Sequence, residues 1–234
     1  MVACAHRPLA SRLCVLNHHL ISVVSDFGDT AVLLPLAAIL SWILWRVASP
    51  ASSATALWSL ALCLGGTVLL KLTFITCGRH WNAGLVSPSG HAAIALAVYG
   101  MATIVLASWV SGWWRISLAV AAVILVTGIA VSRVLLGAHT VAEVVVGLLV
   151  GGAALGIFAF TYRWPARRRL GRLNLLLLGL ALVVPLIALH GERLPAERWI
   201  RQAALMLRTE VGICRVPQDR SKVVGRPRSA APGA

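Results

Sequence analysis

The sequence predicts an all-α, polytopic membrane protein with six transmembrane helices, and three observations predict it. The 234 residues are 59% hydrophobic and only 12% charged, too little charge to cover a soluble domain of that size. Mean hydropathy is +0.86. The apolar residues gather into runs near 30–48, 56–77, 91–109, 116–133, 140–161 and 173–190. About 20 residues at helical rise cross a bilayer, and shorter runs are accommodated by local thinning.

Residues 1–29 form an N-terminal segment. Its short LCVL run is broken by Asn17, His18 and His19, unlike a cleavable signal, so the first span is expected to serve as the targeting signal. The spans at 30–48, 56–77 and 173–190 contain Pro35, Gly65, Gly66 and Pro185. Inside a bundle these residues are compatible with helix, because neighbouring helices satisfy the freed backbone groups and small residues permit close packing. Trp42, Trp45, Trp58, Trp109, Trp113, Trp114 and Trp164 fall near one set of span ends, as an interfacial belt does. Residues 30–190 thus make one six-helix membrane domain. The basic tail 191–234 follows, with PAERWIRQAALMLR expected as an interfacial helix bearing Trp199, Ile200, Ala203 and Leu207 on one side. Beyond Val211, the Pro, Gly, Arg and Ser content predicts disorder.

Lys and Arg number 21 against seven Asp and Glu, for a formal charge of +14. In a soluble chain this would suggest nucleic acid. Here the basic residues lie mainly between and after the apolar runs, so membrane orientation and anionic head groups account for them, with no nucleic-acid partner. Six crossings put the loops 78–90 and 134–139 on one face. Arg46, Arg115 and the cluster Arg163, Arg167, Arg168, Arg169 and Arg172 lie on the other, which the positive-inside rule makes cytoplasmic. The five cysteines have no paired spacing; they are expected as small core residues, outside any disulfide framework or zinc site.

Between residues 31 and 190 the carboxylates reduce to Glu143, the lysines to Lys71, and the histidines to His80, His91, His139 and His190. An ionisable group at membrane depth costs several kcal/mol unless paired or facing water, so these few mark function by default. Glu143 follows His139 by four positions, one helical turn, and a carboxylate there can hold one imidazole nitrogen and raise the basicity of the other. A structural tie between helices fits that pair equally. Arg133 can aim its guanidinium fork at an anion beside His139. Ser87, Pro88, Ser89, Gly90 and His91 spell a helix start: serine caps, glycine admits a ligand to the backbone, and the free N–H groups attract an anion. A plain loop-to-helix junction accounts for Pro-Ser-Gly by itself. Lys71 sits two turns before the end of the second run and Arg79 in the following loop; snorkelling to the interface is the simpler role for Lys71. All of these residues nevertheless fall on one membrane face.

The order of these residues resembles the type 2 phosphatidic acid phosphatase (PAP2) superfamily, whose membrane members have six helices and three motifs. Pro88, Ser89, Gly90 and His91 match the second motif in full. The third is matched by Ser132 and Arg133, five residues, His139, three residues and Glu143, where the family usually has Asp. In the first motif, Lys71 and Arg79 are separated by seven residues instead of six, and His80 replaces Pro. The resemblance covers roughly 30–160. It implies His139 as nucleophile in a phosphohistidine mechanism, Glu143 as its orienting carboxylate, and His91 as proton donor and then base. Lys71, Arg79, Ser89, Gly90 and Arg133 would bind the phosphoryl group. No metal or other cofactor is implied. The substrate would be a lipid phosphate or diphosphate, of phosphatidic acid or isoprenyl type, hydrolysed in a bacterial inner membrane with the site facing the periplasm. The alternatives are a lipid phosphotransferase and a catalytically silent lipid-phosphate binding protein; a small transporter accounts for Lys71 and Glu143 but leaves the SPSGH helix start unused.

Overall fold

The computed structural model describes residues 18–81, 87–162 and 196–209, together with 179, 183, 184, 187 and 188. Among them helix is the only regular secondary structure. In chain order the helices are α1 (Thr30–Ile43), with a π-helical turn at Leu44–Ala48, then α2 (Pro50–Trp81), α3 (Gly90–Trp109), α4 (Trp113–Leu135), α5 (Val141–Thr161) and α6 (Ala196–Thr209). Among the described residues five helices are long and apolar enough to cross a membrane, and they overlap the first five expected runs. The sixth run, 173–190, falls almost wholly outside the described residues.

The helix ends differ from the hydropathic runs because capping, not hydropathy, sets them. Residues 18–26 are already helical, ahead of the first expected span. A turn at 27–29 then ends in Asp29, whose Oδ1 accepts the Ala31 N–H at 2.9 Å and caps α1. The second helix starts at Pro50, six residues before its run. Ser49 Oγ accepts the Ser52 N–H at 3.1 Å, and proline suits the first helical position because its missing N–H has no partner there anyway. At the other end α2 continues through Arg79 and His80 to Trp81. Arg79 is therefore on the helix and not in a loop, a correction to the expected placement.

At the centre of the bundle lies α3. Ala92, Ala93, Ala95, Ala97, Val98 and Met101 are fully enclosed, and α1, α2, α4 and α5 all pack against it. The α3–α5 seam is unusually close. A Cβ on Gly147 would run into the Ser89 carbonyl oxygen, and one on Gly151 into that of Ala93, which is the small-residue route to helix association in lipid. By contrast Ile116, Val120, Val123 and Ile124 of α4 are more than half exposed, as a lipid-facing surface requires. Exposed Trp42, Trp45, Trp58, Trp113 and Trp114 sit at the end of the bundle opposite the α3 N-terminus.

Two further differences concern residues read only as core or interface. Cys63 is a free, buried thiol, but Cys77 is disulfide-bonded; linear spacing carries no information on such a pairing. The tail helix α6 packs against α2 through a covered line of Ile200, Ala204 and Leu207, leaving Trp199 and Ala203 exposed.

Candidate active site

The site forms where the start of α3 meets the α4–α5 connection. Ser87, Pro88 and Ser89 are all buried, and Glu143 holds this stretch twice. The Ser87 N–H donates to Glu143 Oε1 at 2.8 Å, and the Ser89 N–H donates to the Glu143 carbonyl at 3.0 Å. Ser89 caps α3, its hydroxyl accepting the Ala92 N–H. A Cβ on Gly90 would lie 3.8 Å from Lys71 Cε, so the buried lysine stem of α2 reaches the first turn of α3. These are the ingredients of an anion site: free backbone N–H groups, a hydroxyl and a nearby ammonium.

His139 is delivered by a sharp reversal after α4. Gly137 adopts φ +66°, a left-handed conformation that favours glycine. The chain then folds back so that the N–H groups of Ala138 and His139 both donate to the Arg133 carbonyl, at 3.1 and 3.2 Å. His139 Nδ1 meets Glu143 Oε2 at 3.1 Å, the two side chains being 9% and 6% exposed. Oε2 also accepts the Thr140 N–H at 3.0 Å, while Thr140 Oγ1 accepts the Glu143 N–H, a capping box that starts α5. With the carboxylate accepting at Nδ1, the lone pair of the neutral imidazole is on Nε2. Burial pushes the His139 pKa below its ordinary value, and the charges of Arg133 and Lys71 push the same way against the opposing pull of Glu143.

His91, in the first turn of α3, is 24% exposed, and its Nε2 lies 3.4 Å from Asp29 Oδ2. Arg133 donates from Nη1 to Ser25 Oγ at 3.0 Å. Lys71 and Arg133 act electrostatically on both histidines. Lys71, Ser89, Gly90, His91, Arg133, His139 and Glu143 are thus brought together. The Arg79 side chain lies outside the described residues. Its helical position, eight residues after Lys71, is turned about 80° around the axis and displaced about 12 Å along it, whereas a six-residue gap would have kept the two nearly in line. Among the described residues, no group of three or more His, Cys, Asp or Glu is placed to hold a metal ion.

Asp29 and Ser25 were not anticipated as site residues. The signal available was an aspartate immediately before the first apolar run, a helix N-cap pattern, which by itself does not say which histidine it faces.

Comparison with known proteins supplies the context. The model of the PAP2 superfamily matches residues 82–170. A protein of Klebsiella pneumoniae described as an uncharacterized 22.5 kDa protein in the cps region is 27% identical over 190 residues, covering 78% of this chain and 88% of that one. No solved structure matches the chain. Both histidines, Arg133 and Glu143 fall within residues 82–170, the part of the chain that the PAP2 superfamily model matches.

Proposed function

We propose that the protein is a membrane phosphatase that hydrolyses a lipid phosphate or diphosphate through a phosphohistidine. The observation that carries this reading is the state of His139. Its Nδ1 is engaged by a carboxylate that accepts three hydrogen bonds, its Nε2 keeps the lone pair, and the charges of Lys71 and Arg133 act on it from beside an open helix start.

Nε2 of His139 attacks phosphorus as the bond to the lipid oxygen breaks. The departing oxygen takes a proton from His91. Lys71, Arg133, the Ser89 hydroxyl and the first-turn N–H groups of α3 balance the charge on the phosphoryl oxygens, preorganised electrostatics of the kind that dominates phosphoryl transfer. Water then attacks phosphorus and gives a proton to His91; the N–P bond breaks, and inorganic phosphate leaves. A lipid substrate fits a site at the ends of membrane-spanning helices, where a head group reaches the polar cluster while its chains stay in the bilayer. An extracytoplasmic site is supported by the Arg-rich 163–172 segment expected on the other face. It is supported also by the disulfide at Cys77, since such bonds persist in oxidising compartments.

The altered Lys71–Arg79 spacing favours a second reading, a silent lipid-phosphate binder. One assay separates the two: purified protein with a chelator and a panel of lipid phosphates, beside His139→Ala and His91→Ala. Chelator-resistant phosphate release lost in both variants supports the phosphatase. Binding without release by the intact protein supports the binder.

A further inference from the structure

We propose that Asp29, from the turn before the first membrane helix, is a positioning residue for His91, holding Nε2 so that Nδ1 is the nitrogen that exchanges the proton with substrate. The inference rests on the phosphatase reading above. Asp29 divides its carboxylate: Oδ1 caps α1 through the Ala31 N–H at 2.9 Å, and Oδ2 faces His91 Nε2 at 3.4 Å. Capping pins the group, so the imidazole is oriented by a helix end and not by a mobile side chain.

The turn that carries Asp29 is itself fixed against the site. The Tyr99 hydroxyl of α3 donates to the Phe27 carbonyl at 2.9 Å. Gly28 passes so close to α4 that a Cβ there would lie 2.6 Å from Ile129 Cγ2, and 3.4 Å from the His91 Cβ. A larger residue there would force either Ile129 or the turn itself to shift. The arrangement repeats the one at His139, where Glu143 also serves a helix start and a histidine together. The charged groups acting on His91 are Asp29, Arg133 and Lys71. Asp29 alone among them stabilises the imidazolium that must form when the attacking water is deprotonated.

The test uses Asp29→Asn, which retains the cap because asparagine caps as well as aspartate, with Asp29→Ser as a second cap-retaining variant should the first fold poorly. With phosphatidic acid as substrate, kcat falls roughly 10- to 100-fold while KM stays within about twofold. The alkaline limb of the rate profile moves to lower pH, since the acid form of His91 has lost its counter-charge. In parallel, protein carrying 15N-labelled histidine is titrated by NMR. The His91 ring is expected to hold its proton to a higher pH in the wild type than in Asp29→Asn, by about one pH unit. An unchanged rate profile with an unchanged His91 titration overturns the proposal, as does a fall in kcat that merely follows loss of folded protein. If the wild type releases phosphate from none of the lipids, the phosphatase reading fails. The NMR titration then decides the Asp29–His91 pairing by itself: a shift upholds it and no shift overturns it.

Discussion

Replacing Glu143 by glutamine isolates what its charge contributes, because the change preserves shape and inverts one hydrogen-bonding atom. Three donors converge on the carboxylate: the Ser87 N–H on Oε1, and the Thr140 N–H and His139 Nδ1 on Oε2. An amide cannot accept at both ends. With its oxygen toward Thr140 and His139, the NH2 confronts the buried Ser87 N–H and leaves it unsatisfied, at about 1–3 kcal/mol. The two surviving bonds fall from charge-assisted to neutral, losing roughly half their strength. Together these losses come to about 2–5 kcal/mol of stability. With the amide turned the other way, NH2 can donate to His139 Nδ1, which moves the imidazole proton to Nε2 and removes the lone pair that the proposed attack requires. Either outcome predicts a drop in kcat of roughly 10²–10⁴-fold, the range seen when a carboxylate that fixes a histidine tautomer is made neutral. Phosphate release from lipid micelles gives kcat, and tryptophan fluorescence on heating gives stability. A Glu143→Gln protein that melts as the wild type does and keeps kcat within about threefold refutes the reasoning.

Other perturbations test neighbouring parts of the site. Gly147→Ala drives a methyl into the Ser89 carbonyl and is expected to destabilise the protein by about 1–3 kcal/mol and to lower kcat up to roughly 100-fold by misplacing the α3 start; Gly156→Ala, with open space around it, should change neither, as melting and turnover will report. The pKa of His139 lies below its ordinary 6.5, so the neutral imidazole persists into mildly acidic solution, and with His139 as the proposed nucleophile the acid limb of kcat should fall below that pH. The same shift makes the unfolded chain hold the extra proton first, so acidification below about pH 6.5 lowers stability, and His139→Gln should flatten that part of a melting-temperature profile. Arg133→Lys keeps the charge but loses the fork and the Nη1 hydrogen bond to Ser25; turnover is expected to fall about tenfold or more, read in the same phosphate-release assay.

The first five membrane helices were legible because hydropathy alone separates lipid-spanning runs from the rest. The candidate site was legible for a related reason: in a chain with so few charges, Lys71, Arg133, His139 and Glu143 stand out. Residues at the edges of the runs were not. Ser49 and Pro50 start α2 ahead of its apolar stretch, and Gly78, Arg79 and His80 look like loop yet continue the helix, because backbone hydrogen bonding, once propagating, outlasts the apolar pattern. Asp29 was hidden for a different reason. Its partner His91 is far away in sequence, and the turn that carries it presses against α4 at Gly28.

Asp29 and Glu143 each begin a helix and each face a histidine, which ties competence to assembly. A chain whose first span has entered the bilayer but not yet docked on α3 keeps the local His139–Glu143 pair, four residues apart, yet leaves His91 without its carboxylate. One histidine is set by its own helix start and the other waits for a neighbour, so the pair is complete only when the first span closes on α3.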